Sequence, residues 1–235
     1  MTDLYIAERF WCLENIDIFK KIPKREQMEL SQIAKMALYK KGDAIFLPGD
    51  PSDTIYFLRK GRVKLVHLDE GGKRLTLTIC KRGEPFGEMA LAGEVKRSLV
   101  AEALDEVELC IVTKSDLMKF VEKNPNFQLK INKIIGMRFI EIKNRLDDLL
   151  FKDVRTRLAR LILRLGEEFG EERSDGILIN IRLTHQDLAD LIGSTRETTS
   201  TTLIDFETNG WIGKVGRNLT LLNPAALREI AAARP

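Results

Sequence analysis

Between Lys41 and Val112 the sequence sets short apolar runs between glycine-bearing turns, and this spacing constrains the fold more than any other feature. The turns read KKGD, LPGDPSD, RKGR, DEGGK, KRGEPFGE and LAGEVK; the runs between them read AIFL, TIYFL, VKLVHL, LTLTI, SLVAEAL and VELCIV. Val63 and Leu65, then Leu75, Leu77 and Ile79, put apolar groups on one face of an extended chain. Strands at roughly 8–12-residue spacing with turn signals close into a sandwich or barrel rather than a parallel sheet. A small antiparallel β-roll is predicted.

At Ser115 the character changes. Residues 115–122 suit a short helix with Ser115 as N-cap and Asp116 in its first turn. Pro125 then opens a longer helix reaching Leu150, along which Ile135, Phe139, Ile142, Leu146 and Leu149 recur at spacings of 4, 3, 4 and 3. That is the a/d seam two helices share in a coiled coil, and it predicts a homodimer. The alternative is a helix packed on its own β-roll, a contact for which Ile131, Ile134 and Leu150 are available off the seam. Phe151–Asp153 marks a hinge, and Leu158, Leu161, Ile162 and Leu165 form the stripe of a further amphipathic helix. Residues 177–181 read as a strand.

Length and composition suit two folded domains: 235 residues, 44% hydrophobic and 31% charged. No run approaches the roughly 18 apolar residues of a membrane helix. Asp3, Glu8, Glu14 and Asp17 stand where an export signal would be basic and then apolar, so none is read. Cys12, Cys80 and Cys110 lie far apart without a CxxC pair, which suits reduced thiols in a cytoplasm and gives no metal spacing. The net charge of +3 comes wholly from residues 1–150, with 26 basic against 23 acidic side chains; residues 151–235 hold twelve of each. Bulk charge therefore does not announce nucleic acid, and motifs must carry that case. No nucleophile–base pair, metal cluster or Walker loop is visible. The two histidines, His67 and His185, leave little general-base capacity, so an enzyme is not expected.

Residues 183–222 carry the motif on which the case for nucleic acid rests. Thr184 caps a short helix whose inner face is Leu188, Ala189 and Ile192. Gly193 suits the tight turn after it. A second helix follows from Thr195 to Asn209 and ends at Gly210, and IGK, VGR and NLTLL suit a two-stranded wing. Helix, glycine turn, helix and hairpin describe a winged helix-turn-helix. Arg196, Glu197, Thr198, Ser200 and Thr201 crowd the second helix's N-terminal turns, where a recognition helix meets base edges. Arginine bonds guanine and glutamate accepts from cytosine; Thr195 and Thr198 suit phosphates or thymine methyls, and Thr184 and Gln186 suit the backbone. The alternative is a solvated helix start with an idle Arg–Glu pair.

PFGEMALAGEVKRSLV, residues 85–100, sets charges in apparent β-structure, where they are rarely buried unpaired. A cyclic phosphate would want an arginine fork and a small hydroxyl, which Arg97 and Ser98 supply. A ribose hydroxyl would want the Glu88 carboxylate, and Gly87, with Met89 following, would admit close backbone approach. An internal Glu88–Arg97 ion pair explains the same residues equally well.

The order of parts resembles the bacterial cyclic-AMP receptor (catabolite activator)/FNR superfamily of transcription regulators from Phe19 to Ala226. The resemblance is carried by KKGDAIFLPGDPSDTIYFLRKGRVKL (40–65), PFGEMAL…RSLV (85–100), FKDVRTRLA (151–159) and LADLIGSTRETTSTTL (188–203). It implies an α+β chain: a cyclic-nucleotide-binding type jelly roll with N-terminal helices (1–124), a dimerisation helix (125–150) and a winged helix-turn-helix (151–235). Gly87, Glu88, Arg97 and Ser98 match the family's phosphate cassette, and Arg196 and Glu197 match two of its base-reading positions. Thr201 replaces the second base-reading arginine, and Ile142 and Lys143 stand where the cyclic-AMP receptor has an adenine-contacting Thr–Ser pair. Only Cys12 lies where iron–sulfur members have several cysteines, and Gly87 and Met89 replace the haem sensor's ligands.

The resemblance thus implies an allosteric homodimer with no obligatory cofactor, a cyclic nucleotide such as cyclic AMP as effector, and double-stranded DNA with a palindromic operator as partner. It also implies RNA polymerase contact through loops such as Glu171–Gly176. Three rivals remain: a family member indifferent to cyclic nucleotide, a redox regulator using the cysteines, and a cyclic-nucleotide module acting on a protein partner.

Overall fold

The computed structural model describes residues 23–232. These form two compact units, one of residues 23–72 with 77–140, the other of residues 73–76 with 141–232. After helix α1 (Lys24–Ile33) come β1 (Lys35–Tyr39), β2 (Ala44–Phe46), β3 (Thr54–Lys60), β4 (Val63–Leu68), β5 (Arg74–Cys80), β6 (Pro85–Phe86), β7 (Val100–Ala103) and β8 (Val107–Thr113), all in the first unit but for the start of β5. These form two four-stranded sheets, ordered β1-β8-β3-β6 and β2-β7-β4-β5, with every registered pair antiparallel. The β-roll reading holds.

Strand β3 shows why its run TIYFL is apolar throughout. Tyr56 and Leu58 pack with Phe46, Val63 and Phe86 in one cluster, while Ile55 and Phe57 pack with Leu117, Phe120 and Phe127 in another. A strand buried on both faces loses the polar–apolar alternation of a half-exposed one. The second cluster seats α2 (Lys114–Lys123) and the start of α3 (Pro125–Phe151). Helix α2 begins one residue before the predicted cap: Thr113, not Ser115, accepts from the Asp116 amide at 3.2 Å. Strand β8 runs to Thr113, so its last hydroxyl is already placed for the cap.

Along α3, Ile131 is buried in the unit's own core, and Ile134 and Ile135 pack against it. Ile135, assigned to the seam, is thus drawn inward by one turn of the same stripe. Phe139, Ile142 and Leu146 remain 69%, 46% and 54% exposed.

In the second unit Asp153 caps α4 (Val154–Phe169), accepting from the Thr156 amide at 2.7 Å. That bond, followed by the Thr156 hydroxyl and nearby arginines, holds the Asp153 carboxyl below its usual range against the effect of burial. Strands β9 (Gly170–Arg173) and β10 (Gly176–Ile179) form a hairpin where a loop is expected at 171–176, because the chain there pairs with its own continuation. Helices α5 (His185–Ile192) and α6 (Arg196–Thr208) follow, then the wing strands β11 (Ile212–Val215) and β12 (Asn218–Leu221) and helix α7 (Pro224–Ala232). The wing is not a free ribbon. Its sheet is ordered β11-β12-β10-β9, which gives the wing two further strands to rest on.

Among the described residues no helix is long and apolar enough to cross a membrane, and no cluster of His, Cys, Asp or Glu suits a metal ion. Cys80 is a buried free thiol, whereas Cys110 is disulfide-bonded. That corrects the expectation of three reduced thiols: an odd count is equally met by one pair and one free sulfur. Cys12 lies outside the described residues.

Candidate functional site

The segment 85–98 folds around Gly87. Its backbone is left-handed (φ +76°), and a Cβ there would lie 3.0 Å from Arg97 Nη1, 3.1 Å from Tyr56 Cδ2 and 3.2 Å from the Thr54 carbonyl. Both the conformation and the space demand glycine. The turn lets the chain reverse from β6 into a short 3₁₀ turn, Glu88–Ala90, which buries Glu88 while leaving Met89 46% exposed. The structure therefore gathers Gly87, Glu88, Arg97 and Ser98, and sets Met89 on the surface.

Glu88 and Arg97 do not pair with each other. Glu88 Oε1 lies 2.5 Å from Nη1 of Arg138 on α3, a close ion pair in which Nη1 lacks hydrogen-bond alignment. Arg138 Nη2 donates to the Pro85 carbonyl at 2.5 Å and approaches Cys80 Sγ at 3.2 Å. Burial works against the charge of Arg138, but the Cys80 sulfur and the Glu88 carboxylate outweigh it and hold its pKa above the usual arginine value. The sequence carries no local sign of this partner, 50 positions beyond Glu88 in the chain.

Arg97 is 3% exposed. Its Nη1 donates to the Gly87 carbonyl at 3.0 Å, and its Nη2 donates to the Thr54 carbonyl and, at 3.2 Å, to Thr54 Oγ1. The guanidinium lies 4.6 Å from the ring centre of Phe46 and 5.7 Å from that of Tyr56, and its Nε has no partner. A buried cation with an orphaned donor wants an anion.

Glu94 supplies one. Its Oε1 accepts from Ser98 Oγ at 2.7 Å and from the Ser98 amide at 3.2 Å; its Oε2 accepts from Ser52 Oγ at 2.7 Å and lies 3.7 Å from Arg97 Nη1. Burial raises the Glu94 pKa, but the Ser52 and Ser98 bonds and the Arg97 charge prevail and lower it. The carboxylate thus engages the hydroxyl and cation that would bind a phosphate. An acid three residues before Arg97 was the only sequence signal, and its reach depended on the fold of the loop between them.

Ile142 and Lys143 belong to the other unit and are exposed; Lys143 pairs with Asp147 at 3.4 Å along its own helix.

The helix-turn-helix face is built from the turn between α5 and α6. Thr184 and Asp187 form a reciprocal capping box, and Gly193 closes α5 in the left-handed conformation (φ 61°). Thr195 caps α6, accepting from the Thr198 amide at 3.2 Å. Leu203 and Phe206 bury one face of α6, and Arg155 braces it through an ion pair with Asp205 at 2.6 Å and contacts with the Phe206 and Trp211 rings. At the N-terminal turn of α6 Arg196 and Glu197 are exposed, with no side-chain bond among the described residues. Thr198 and Thr201 are exposed beside them, Thr201 bonding the Glu197 carbonyl at 3.1 Å.

Ser200 departs from the expected set. Its Oγ lies 2.7 Å from His185 Nδ1, half-buried between the two helices, so it fastens α6 to α5. Gln186 donates to buried Asp190 at 2.7 Å, and the Thr184 hydroxyl is committed to its cap.

Residues 37–124 match the cyclic nucleotide-binding domain family, and residues 156–230 match the Crp-like helix-turn-helix domain family. The chain is 31% identical to the global nitrogen regulator of Synechocystis sp., over 81% of this chain and 86% of that protein. It is also 31% identical to the cyclic AMP receptor protein of Thermus thermophilus, over 89% of this chain and 93% of that one. A solved CRP/FNR-family transcriptional regulator from Thermus thermophilus superposes with a TM-score of 0.66 at 28% identity, covering 86% of this chain and 100% of that one. With a β-roll of the cyclic nucleotide-binding domain family, a long helix and a winged helix-turn-helix joined in this order, the chain belongs to the CRP/FNR family of DNA-binding transcription regulators.

Proposed function

We propose that the chain works as a homodimer whose β-roll (residues 1–124) takes a phosphate-bearing effector, most simply a cyclic nucleotide such as cyclic AMP. Helix 125–150 joins the protomers through Phe139, Ile142 and Leu146, and the reader (151–235) engages a palindromic operator in the cytoplasm. The observation that carries this reading is the anion site: buried Arg97 with an orphaned Nε, facing a carboxylate that also engages Ser98. Arg97 and Ser98 would hold the phosphate, and Glu88, oriented by Arg138, would accept from the ribose hydroxyl. Entry requires Glu94 to leave, and the freed loop is the switch. Two-fold symmetry sets the recognition helices about 34 Å apart, one turn of duplex, in one of two states. RNA polymerase contact would fall on the exposed β9–β10 hairpin.

The test is fluorescence anisotropy of a labelled palindromic duplex with TGTGA-type half-sites, titrated with protein at fixed salt with and without cyclic AMP. Tightening by the nucleotide supports the reading; equal affinity with and without it retires cyclic AMP as the signal. A redox reading is favoured by one observation, the disulfide at Cys110. It predicts that a thiol reductant changes operator affinity by itself.

A further inference from the structure

Ser52 lies in the turn LPGDPSD between β2 and β3. Its side chain is buried, 4% exposed, and among the described residues its hydroxyl donates to one group, Glu94 Oε2 at 2.7 Å. Backbone bonds hold this turn against the segment that carries Arg97. The Arg97 amide donates to the Asp50 carbonyl and the Gly49 amide to the Arg97 carbonyl, both at 2.8 Å, and the Ser52 amide donates to the Val95 carbonyl at 2.9 Å. Pro51 and Lys96 pair in the same antiparallel sense. The main chain therefore fixes Ser52 beside Arg97, whatever the Glu94 side chain does.

The Glu94 carboxylate fills a seat with donors at both oxygens. Its Oε1 accepts from the Ser98 hydroxyl at 2.7 Å and the Ser98 amide at 3.2 Å, while Oε2 accepts from Ser52 and lies 3.7 Å from Arg97 Nη1. A cyclic phosphodiester matches a carboxylate in the features this seat reads: one negative charge shared between two unbridged oxygens. When Glu94 leaves, the Ser52 hydroxyl is buried without an acceptor unless the incoming group brings a second oxygen to it. Thr54, the other hydroxyl at Arg97, is already committed: its Oγ1 accepts from Arg97 Nη2 at 3.2 Å and donates to Tyr56 Oη at 3.1 Å.

We propose, on the reading of the Arg97 pocket as the effector site, that Ser52 is a direct ligand of the effector's phosphate, donating to one unbridged oxygen while Ser98 donates to the other. The seat is then two-sided. It selects a singly charged centre with two free oxygens, and a ligand offering one acceptor leaves a buried serine unsatisfied.

The test is isothermal titration of the full-length protein with cyclic AMP and with the two diastereomers of its phosphorothioate. In each diastereomer sulfur, a weak acceptor, replaces a different unbridged oxygen. Glu94→Ala serves as the parent, because Ser52→Ala in the wild type also frees Glu94. In that background Ser52→Ala should weaken cyclic AMP at least about tenfold, since a hydrogen bond to a charged group is lost. The loss should persist with the diastereomer that keeps oxygen beside Ser52 and fall below about threefold with the one that sets sulfur there. A serine that only supports the fold would weaken all three ligands alike. Equal losses with both diastereomers, or a change under about threefold with cyclic AMP, while Arg97→Ala abolishes binding, overturn the role of Ser52 and leave the effector site standing. No heat with cyclic AMP in either the wild type or Glu94→Ala, or binding that survives Arg97→Ala, overturns the effector site itself and the role of Ser52 with it.

Discussion

Replacing Glu94 with glutamine probes what a phosphate must overcome. A cyclic phosphate approaching Arg97 and Ser98 meets a carboxylate that already accepts three hydrogen bonds and lies 3.7 Å from Arg97 Nη1. The Glu94 side chain is 17% exposed, so solvent screens its charge only in part. Two unit charges about 4 Å apart repel by roughly 4 kcal/mol at an effective dielectric near 20. The hydrogen bonds given up by Glu94, about 1.5–3 kcal/mol each, are largely remade to the phosphate, so the charge term decides. If side-chain movement relieves half of the repulsion, Glu94→Gln gains about 2 kcal/mol, or roughly 30-fold in Kd. Calorimetric titration with cyclic AMP at pH 7.5 measures it. Equal or weaker binding by the variant would refute the reasoning, because the carboxylate would then not oppose the ligand.

The same substitution has a pH signature. The folded pKa of Glu94 is depressed, so its contribution to stability is complete above the ordinary glutamate value of about 4.3. That contribution is lost as the pH falls through the lower folded value. Urea unfolding near pH 6 and near pH 3.5 should therefore show a smaller acid loss in Glu94→Gln than in the wild type.

Three further predictions concern other links in the molecule. Arg138→Met leaves Glu88 buried without its cation and should cost about 3–5 kcal/mol of stability in urea melts; a cost under 1 kcal/mol would mean the pair is idle. Arg196→Ala should weaken operator binding by about 1–3 kcal/mol and relax specificity at one base pair in anisotropy titrations, whereas Ser200→Ala should leave base preference intact and lower stability by about 1 kcal/mol. Phe139→Asp places a charge in the exposed stripe of α3 and should shift sedimentation toward the monomer, a result that an unaltered boundary would exclude.

Local patterns were legible because local physics dictates them. Glycine turns announced the β-roll, and Gly193 and Gly210 are left-handed at the ends of α5 and α6, where backbone sterics leave few other choices. The cap Thr184 satisfies an amide three residues on, so sequence spacing alone places it; Asp153, read as hinge, and Thr195, read as the helix start, cap their helices in the same way. Glu197 and Thr201 follow from helical period on one exposed face, and Arg196 from its place in the first turn. What sequence left open were pairings across long separations. Glu88 and Arg97 fitted one another as well as they fitted a ligand, and only the packed chain gave Glu88 to Arg138 and Arg97 to Glu94. Ser200 met His185 because α5 and α6 cross there. Arg145 and Arg164 became neighbours because α3 and α4 fold together. Periodicity names the face a side chain occupies; the partner of a buried charge is decided by which distant group can reach it before water is excluded.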